Sequence, residues 1–274
     1  MTDNIFRLLM SLYRVVFARR CFYTINRLLF NLSLRGMGIL NDEGRNWTYT
    51  GEERFLRRVA STWRTPPTVL DVGAHVGEYA NIVKRLAPQA RVYAFEPHPK
   101  TFAELTRQAD RHGYSAWNVG CGDRTQTVSL YDYEAAQGSV HASLYQEVIS
   151  TLHRGRPIAT DVQVIALDDF IEEHKLTKVQ LLKIDTEGHE LRVLMGLKKS
   201  LPLGVVDVIQ FEFNAMNVIS RVFLRDFSTL LPDYSFYRLL PDGPVPLGEY
   251  SPILWELFAS QNIVAVRRGC DLRM

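Results

Sequence analysis

Apolar and polar positions change rhythm along the chain. Up to residue 36, apolar side chains recur at helical spacing and arginines interrupt them. Ile5, Phe6, Leu8, Leu9, Leu12 and Tyr13 surround Arg7 and Arg14, and a second run, 22–34, carries Arg27. This predicts one or two amphipathic helices. Gly36, Gly38, Gly44 and Gly51 then mark a hinge, and Glu52 opens a covering helix that ends near Pro66-Pro67. Beyond it, short apolar runs alternate with helix-period segments. The pattern predicts strands at 69–72, 91–95, 114–119, 179–185 and 205–213, with helices at 78–86, 100–112, 168–174, 190–199 and 219–230. Such alternation builds a doubly wound α/β sheet of mostly parallel strands. Strands at 234–239 and 263–267 close the sheet, and the Pro/Gly-rich stretch 241–252 reads as the loop of the final hairpin. Residues 127–133 and 161–166 alternate like strands around a long connection, 134–160, with the length of a lid or substrate-reading loop.

The join between the first strand and its helix carries the most chemistry. Val69-Leu70-Asp71-Val72-Gly73-Ala74-His75-Val76-Gly77 is an apolar run that ends on an acid and turns through two glycines. Glycine lets the backbone adopt unusual dihedrals and approach a ligand closely. The free N–H groups at the helix start attract a negative group. Asp71 lies at the strand's carboxyl end, beside the crevice where open α/β sheets bind ligands. A dinucleotide fingerprint needs Gly-x-Gly-x-x-Gly, but His75 and Glu78 occupy the positions of its second and third glycines. The spacing Asp-x-Gly-x-x-x-Gly suits a zwitterion instead, with its carboxylate on the helix N-terminus and its ammonium on the acid. S-adenosylmethionine is a ligand of that kind. A tight strand–helix turn with no ligand would use the same residues.

Downstream acids fit such a ligand. Glu96-Pro97 ends the second strand about 20 positions past the glycine turn, where a carboxylate accepts hydrogen bonds from ribose hydroxyls. Asn118 or Asp123, around a glycine-rich turn, could bond an adenine amino group, although turn chemistry alone explains them. Asp185 ends the fourth strand, which lies beside the first in a doubly wound sheet. Asp185 and Glu187 would therefore sit near a sulfonium methyl. Glu212 and Asn214 end the fifth strand, and His141 stands in the long connection.

Composition narrows the class only slightly. The chain has 274 residues, 46% of them hydrophobic and 23% charged, ordinary values for a globular chain holding one α/β domain plus an extension. A net charge of +2 gives no argument for nucleic acid. Cys21, Cys121 and Cys270 are far apart and form no CxxC pair, which argues against a zinc site or disulfide framework and fits a reducing compartment.

At its motifs the chain resembles the FkbM family of S-adenosylmethionine-dependent methyltransferases. The likeness rests on Asp71-Val72-Gly73-Ala74-His75-Val76-Gly77, Phe95-Glu96-Pro97, Leu167-Asp168-Asp169, Leu182-Lys183-Ile184-Asp185-Thr186-Glu187-Gly188-His189-Glu190 and Phe211-Glu212-Phe213. It implies a class I methyltransferase, Rossmann-like fold with a seven-stranded sheet whose last strand is antiparallel. It also implies O-methylation of a hydroxyl on a sugar, glycolipid, polysaccharide or polyketide-like acceptor. The expected cofactor-binding residues are Asp71, Gly73, Ala74, Gly77, Glu96, Pro97, Asn118, Asp123 and Asp185. His75 and His189 depart from the family's usual residues, and His189 stands where it could adjust the substrate site.

An alcohol is a poor nucleophile, so a base or a metal must help remove its proton. Asp185 and Glu187 are the first candidates, with His141, His189 and Glu212 in reserve. Glu190, in a first helical turn, is explained by the helix dipole. Asp185, Glu187, His189 and Glu190 together carry ligand atoms that suit Mg²⁺ or Mn²⁺, but they span a strand end and a helix start and would not all converge; a required metal is not favoured, and Asp185, Glu187 and Glu212 are the residues that would hold one.

Residues 1–40 hold six arginines against one aspartate, and no apolar run there reaches the ~18–20 residues of a membrane span. Nor does the segment read as a secretory signal, because arginines interrupt it and a small-residue cleavage site is missing. It divides the chain into a helical extension, 1–38, and a catalytic domain, 39–274. Residues 4–36 either pack on the domain or on a second subunit as a homodimer, or lie on the inner face of a membrane around a cytoplasmic enzyme. Two other classes stand beside the enzyme reading: a nicotinamide-dependent oxidoreductase, disfavoured by the missing glycines, and a non-catalytic membrane-attached interaction protein, which would not need the acids at 96, 185 and 187.

Overall fold

Helices and strands follow one another here as a doubly wound chain must, with departures where glycine or a side-chain cap intervenes. A computed structural model describes residues 2–40, 50–135, 138–270 and 272; Gly44 of the expected hinge lies outside them. Two N-terminal helices, α1 (Thr2–Phe17) and α2 (Tyr23–Gly36), meet at a bend. Tyr13 Oη donates to Asn26 Oδ1 (2.7 Å) and Asn26 Nδ2 to the Phe17 carbonyl (2.9 Å), which fixes the bend. Helix α3 (Glu52–Ala60) stops short of Pro66 because the Ser61 and Thr62 hydroxyls bond back to the Arg58 and Val59 carbonyls.

The core then runs β1 (Thr68–Val72), α4 (Glu78–Leu86), β2 (Arg91–Phe95), α5 (Pro99–His112) and β3 (Ser115–Trp117). After β3 the chain leaves this sheet. Strands β4 (Gly120–Gly122), β5 (Gln126–Tyr133) and β6 (Pro157–Ala166) form a second, three-stranded sheet in the order β4-β6-β5. The expected third strand, 114–119, is shortened by this exit. The long connection is shorter than its sequence suggests, since β6 starts at Pro157 and pairs with β5 out to Tyr133. Helix α6 (Leu167–Glu173) returns the chain to the main sheet, followed by β7 (Val179–Ile184), α7 (Glu190–Met195) and β8 (Val206–Phe213). Helix α7 ends at Met195, with Gly196 as its C-cap, rather than at 199. The single helix expected at 219–230 is two, α8 (Met216–Ser220) and α9 (Leu224–Leu230). They part at Arg221, which takes a φ of 57°, and the Asp226 carboxylate caps α9 by accepting from the Phe223 N–H (2.9 Å). Strands β9 (Tyr234–Leu240) and β10 (Gly243–Pro246), helix α10 (Pro252–Trp255) and β11 (Gln261–Arg267) complete the chain.

The main sheet has the order β10-β9-β11-β8-β7-β1-β2-β3. Strands β1, β2, β3, β7 and β8 are parallel, and β11 inserts antiparallel between β8 and β9. That is the seven-stranded class I methyltransferase arrangement, extended by β10, which the sequence reading had placed in a loop. Apolar cores fill both faces: Phe95, Phe170, Phe211, Phe213 and Phe227 on one, Phe55, Leu56, Val83 and Val264 on the other. The carboxyl ends of β2, β1, β7 and β8 stand side by side as a result, and each ends on or next to an acid: Glu96, Asp71, Asp185 and Glu212.

Candidate functional site

A cavity of about 300 Å³ opens over those strand ends, a size at the lower end for small-molecule sites. Its wall includes Asp71, Gly73, Ala74, His75, Glu96, Pro97, Lys183, Asp185, Glu187, His189 and Glu212. Most of the residues expected at the cofactor and the reacting centre are thereby brought to one place. Asn118 and Asp123 are not in this wall. Asn118 Nδ2 donates to the Glu96 and Pro97 carbonyls (2.9 and 3.1 Å), so it pins the exit of β2. Asp123 pairs with Arg192 at 3.0 Å. Gly77 is outside the wall too, as the N-cap of α4 with a φ of 87°.

The first turn is tight for a stated reason. Gly73 has a φ of 75°, and a Cβ built on it would lie 1.7 Å from the Asp185 carbonyl oxygen. Only glycine lets the β1 turn press against the end of β7. The Gly73 and Ala74 N–H groups both donate to the Phe95 carbonyl (3.0 and 2.9 Å), tying the turn to β2. Asp71 is 1% exposed, and its Oδ2 has no hydrogen-bond partner among the described residues. Burial pushes its pKa up to about 7, against the pull of Lys183. Glu96 accepts from the His98 N–H (2.8 Å) and the His75 N–H (3.0 Å), one on each oxygen. Burial raises it to about 7 despite these bonds. A carboxylate oxygen can accept more than one hydrogen bond, so Glu96 retains capacity for a hydroxyl ligand.

Deeper in, acids crowd around one cation. Lys183 is buried, donates to Asp185 Oδ2 (2.8 Å) and lies 5.6 Å from the Tyr79 ring centre. Burial disfavours its charge, but the carboxylates of Asp185, Glu52 and Asp71 outweigh that and hold its pKa above the usual lysine value. Glu52, from α3, accepts from Gln210 Nε2 (2.7 Å) and Thr50 Oγ1 (2.9 Å), and Tyr79 donates to Gln210 Oε1 (2.7 Å). The sequence reading assigned no role to Glu52, Lys183, Tyr79 or Gln210. A lysine inside the apolar run of β7 was the available signal for Lys183. Glu52 reaches the site only because α3 folds over the sheet, and nothing local announces it.

Asp185, Glu187 and Glu212 each offer an oxygen within 4.8 Å of the others, which brings the ends of β7 and β8 and the turn after β7 together. Glu187 takes a φ of 54°, a conformation an L-residue adopts only when its surroundings impose it. Burial, with the nearby Glu212 and Asp185 charges, raises its pKa well above the usual carboxylate value. Its Oε1 lies 3.6 Å from His141 Nδ1, and its Oε2 is buried without a partner among the described residues. Glu212 is pushed up to about 8 by burial and by Asp185, while the Ser260 hydroxyl donates to it. Glu190 turns away from this group. Its Oε1 accepts from the Thr186 and Gly188 N–H groups (3.0 Å each), closing the 186–188 turn. His189 lines the cavity; burial lowers it to about 4, leaving the ring neutral at pH 7, and its Nδ1 lies 3.3 Å from Tyr145 Oη. His141 is outside the lining, its ring tilted against that of His153 with centres 4.6 Å apart.

The roof comes from the connection between β5 and β6, through Ser139, Val140, Ala142 and Leu144. Buried Asp132 ties it down by accepting from the Gly138 and Ser139 N–H groups (2.6 and 3.1 Å) and from the Ser139 hydroxyl (2.5 Å). Ser143 Oγ donates to the Glu187 carbonyl (2.8 Å), joining roof to floor.

The model of the Methyltransferase FkbM domain matches residues 71–227, which carry all of these strand-end acids. The chain belongs to the FkbM methyltransferase family. Among its relatives, Methyltransferase 1 of Beauveria bassiana is 33% identical over 145 residues, 47% of this chain and 57% of that protein. Hexuronic acid methyltransferase AglP of Haloferax volcanii is 27% identical over 155 residues, 55% of this chain and 58% of that protein. The 2-O-methyltransferase NoeI of Sinorhizobium fredii is 26% identical over 210 residues, 71% of this chain and 83% of that protein. The chain thus spans less than two thirds of the length of the first two relatives. This FkbM-family chain keeps the glycine turn, Glu96 and the Lys-Ile-Asp-Thr-Glu-Gly run within its matched region.

Proposed function

We propose that this FkbM-family chain is an S-adenosylmethionine-dependent O-methyltransferase acting on a hydroxyl of a sugar or polyketide-like small molecule. The observation that carries the reading is the convergence of Asp71, Glu96, Asp185, Glu187 and Glu212 on one cavity. The residues present fit the donor: the partnerless buried Asp71 oxygen suits an ammonium, and Glu96 suits the ribose. When bound, that cofactor supplies an electrophilic methyl on a sulfonium.

The chain's own groups then have separable tasks. Asp71, Gly73 and Ala74 hold the amino-acid end, and Glu96 and Pro97 orient the nucleoside. Asp185, held by Lys183, would border the donor's reactive end. Glu187 is the base: its carboxylate would take the proton of the acceptor hydroxyl as that oxygen is methylated. Its raised pKa makes the ionised carboxylate a stronger base, and only that ionised form accepts the proton. Holding oxygen and methyl in line supplies much of the remaining acceleration. Support for a sugar-type acceptor comes from the hexuronic acid named for AglP and the 2-O position named for NoeI. A divalent cation on Asp185, Glu187 and Glu212 is the second reading, and their 4.8 Å grouping favours it; Lys183, already on Asp185, competes with it.

The test is transfer of a labelled methyl group to a panel of hydroxylated sugars, with Asp185→Asn and Glu187→Gln beside the wild type. Turnover by the wild type and its loss in Glu187→Gln is expected. Transfer to no hydroxyl, or undiminished turnover in both variants, would sink the assignment. In parallel, a larger thermal shift with NAD than with S-adenosylhomocysteine would restore the oxidoreductase reading. Full activity after chelation and gel filtration would remove the metal.

A further inference from the structure

Most of the large apolar side chains that the described residues expose lie in α1 and α2. Phe6 and Leu8 are each 62% exposed and Leu28 57%. On α1 from Ile5 onward, helical spacing puts Arg7, Ser11 and Arg14 on one narrow side and leaves the rest of the surface apolar. On α2, Ile25, Leu28, Leu29 and Leu32 share one side, with Arg27 and Asn31 away from them. Between residues 4 and 36 there are six arginines and no acid. Among the described residues, no helix is long and apolar enough to cross a membrane.

We propose that α1 and α2 form a peripheral anchor that docks this chain on anionic bilayer surfaces. The occupant of the exposed apolar face must supply both an apolar medium and negative charge. Self-association through 4–36 would set arginine against arginine with no acid of that stretch to pair them. An anionic bilayer supplies acyl chains for Phe6, Leu9 and Leu28 and headgroup charge for Arg7, Arg14 and the arginines of the bend. The anchor is rooted at the cavity's edge: Ile39 is fully buried, and the Leu40 N–H donates to the carbonyl of Ser260 (3.0 Å), the residue whose hydroxyl holds Glu212. Docking therefore keeps the site close to the bilayer. The proposal stands apart from the assigned reaction, since none of the anchor residues lines the cavity.

The experiment is vesicle co-sedimentation of the 274-residue chain with phosphatidylcholine alone and with added phosphatidylglycerol. The variants are Arg7→Glu with Arg14→Glu, and Leu9→Glu with Leu28→Glu, each shown to be folded by an unchanged melting transition. The wild type is expected to bind anionic vesicles about tenfold or more tightly than neutral ones, and less at high salt. Each double variant is expected to lose about that factor. Equal sedimentation of wild type and both variants overturns the proposal. So does a lack of vesicle binding by a wild-type dimer that the leucine variant dissociates, which would assign the face to a second copy.

Discussion

Glu187 holds a backbone conformation that its side chain disfavours, at a φ of 54°, between Asp185 and Glu212. The cost of such a conformation, of order 1–3 kcal/mol, points to a carboxylate kept for its position. Glu187→Gln preserves shape and removes the proposed base, so kcat should fall by about 10²–10⁴-fold with calorimetric binding of S-adenosylhomocysteine retained. Loss of both together would make Glu187 a cofactor ligand instead. The buried acids predict a pH dependence with a definite sign. Asp71 and Glu96 hold their protons to about pH 7 and Glu212 to about 8, whereas unfolded carboxyls release theirs near 4. Between those limits the folded chain binds more protons than the unfolded one, so stability of the ligand-free protein should fall as pH rises from about 4 to 8. A cationic ligand favours the ionised forms. S-adenosylmethionine binding near pH 6.5 should therefore release protons, read by calorimetry in buffers of different ionisation enthalpy; proton uptake would contradict these assignments. Asp71, Glu96 and Asp185 were legible from the sequence because each ends an apolar run next to a turn. Glu52 was not, because its partner Gln210 is 158 residues away.

At the scale of elements, the β1–α4 turn and the β5–β6 connection set the cavity's floor and roof. Any side chain at Gly73 meets the Asp185 carbonyl and a φ of 75° together. Gly73→Ala should destabilise the fold by ~3 kcal/mol or more, a fall of roughly 6–12 °C in Tm. An unchanged Tm would mean that the turn is slack. Asp132 holds the roof through the Gly138 and Ser139 bonds. Asp132→Ala should raise KM for the acceptor by about tenfold or more with a smaller effect on kcat, as expected when binding rather than the reacting centre is disturbed. It should also expose the 134–147 segment to limited proteolysis. The sequence revealed that this connection exists but not that β4, β5 and β6 form a separate sheet. Strand alternation fixes which residues share a face, not which sheet a short strand joins. Likewise, the 219–230 run kept helical spacing across Arg221, and the break there depends on a cap by Asp226 that spacing does not encode.

For the whole molecule, the order of strands matters more than any one residue. Placing β1 between β2 and β7, with β8 beyond, turns acids distant in sequence into neighbours. That much followed from alternating strand and helix signals, since consecutive parallel strands with helical crossovers have few arrangements. The account's central claim is that these adjacent strand ends hold one cofactor. A crystal structure of the complex with S-adenosylhomocysteine tests it most directly. The prediction is nucleoside density over β1, β2 and β7, its ribose on Glu96 and its ammonium within hydrogen-bond reach of Asp71. Density elsewhere, or a ligand touching neither carboxylate, would contradict it.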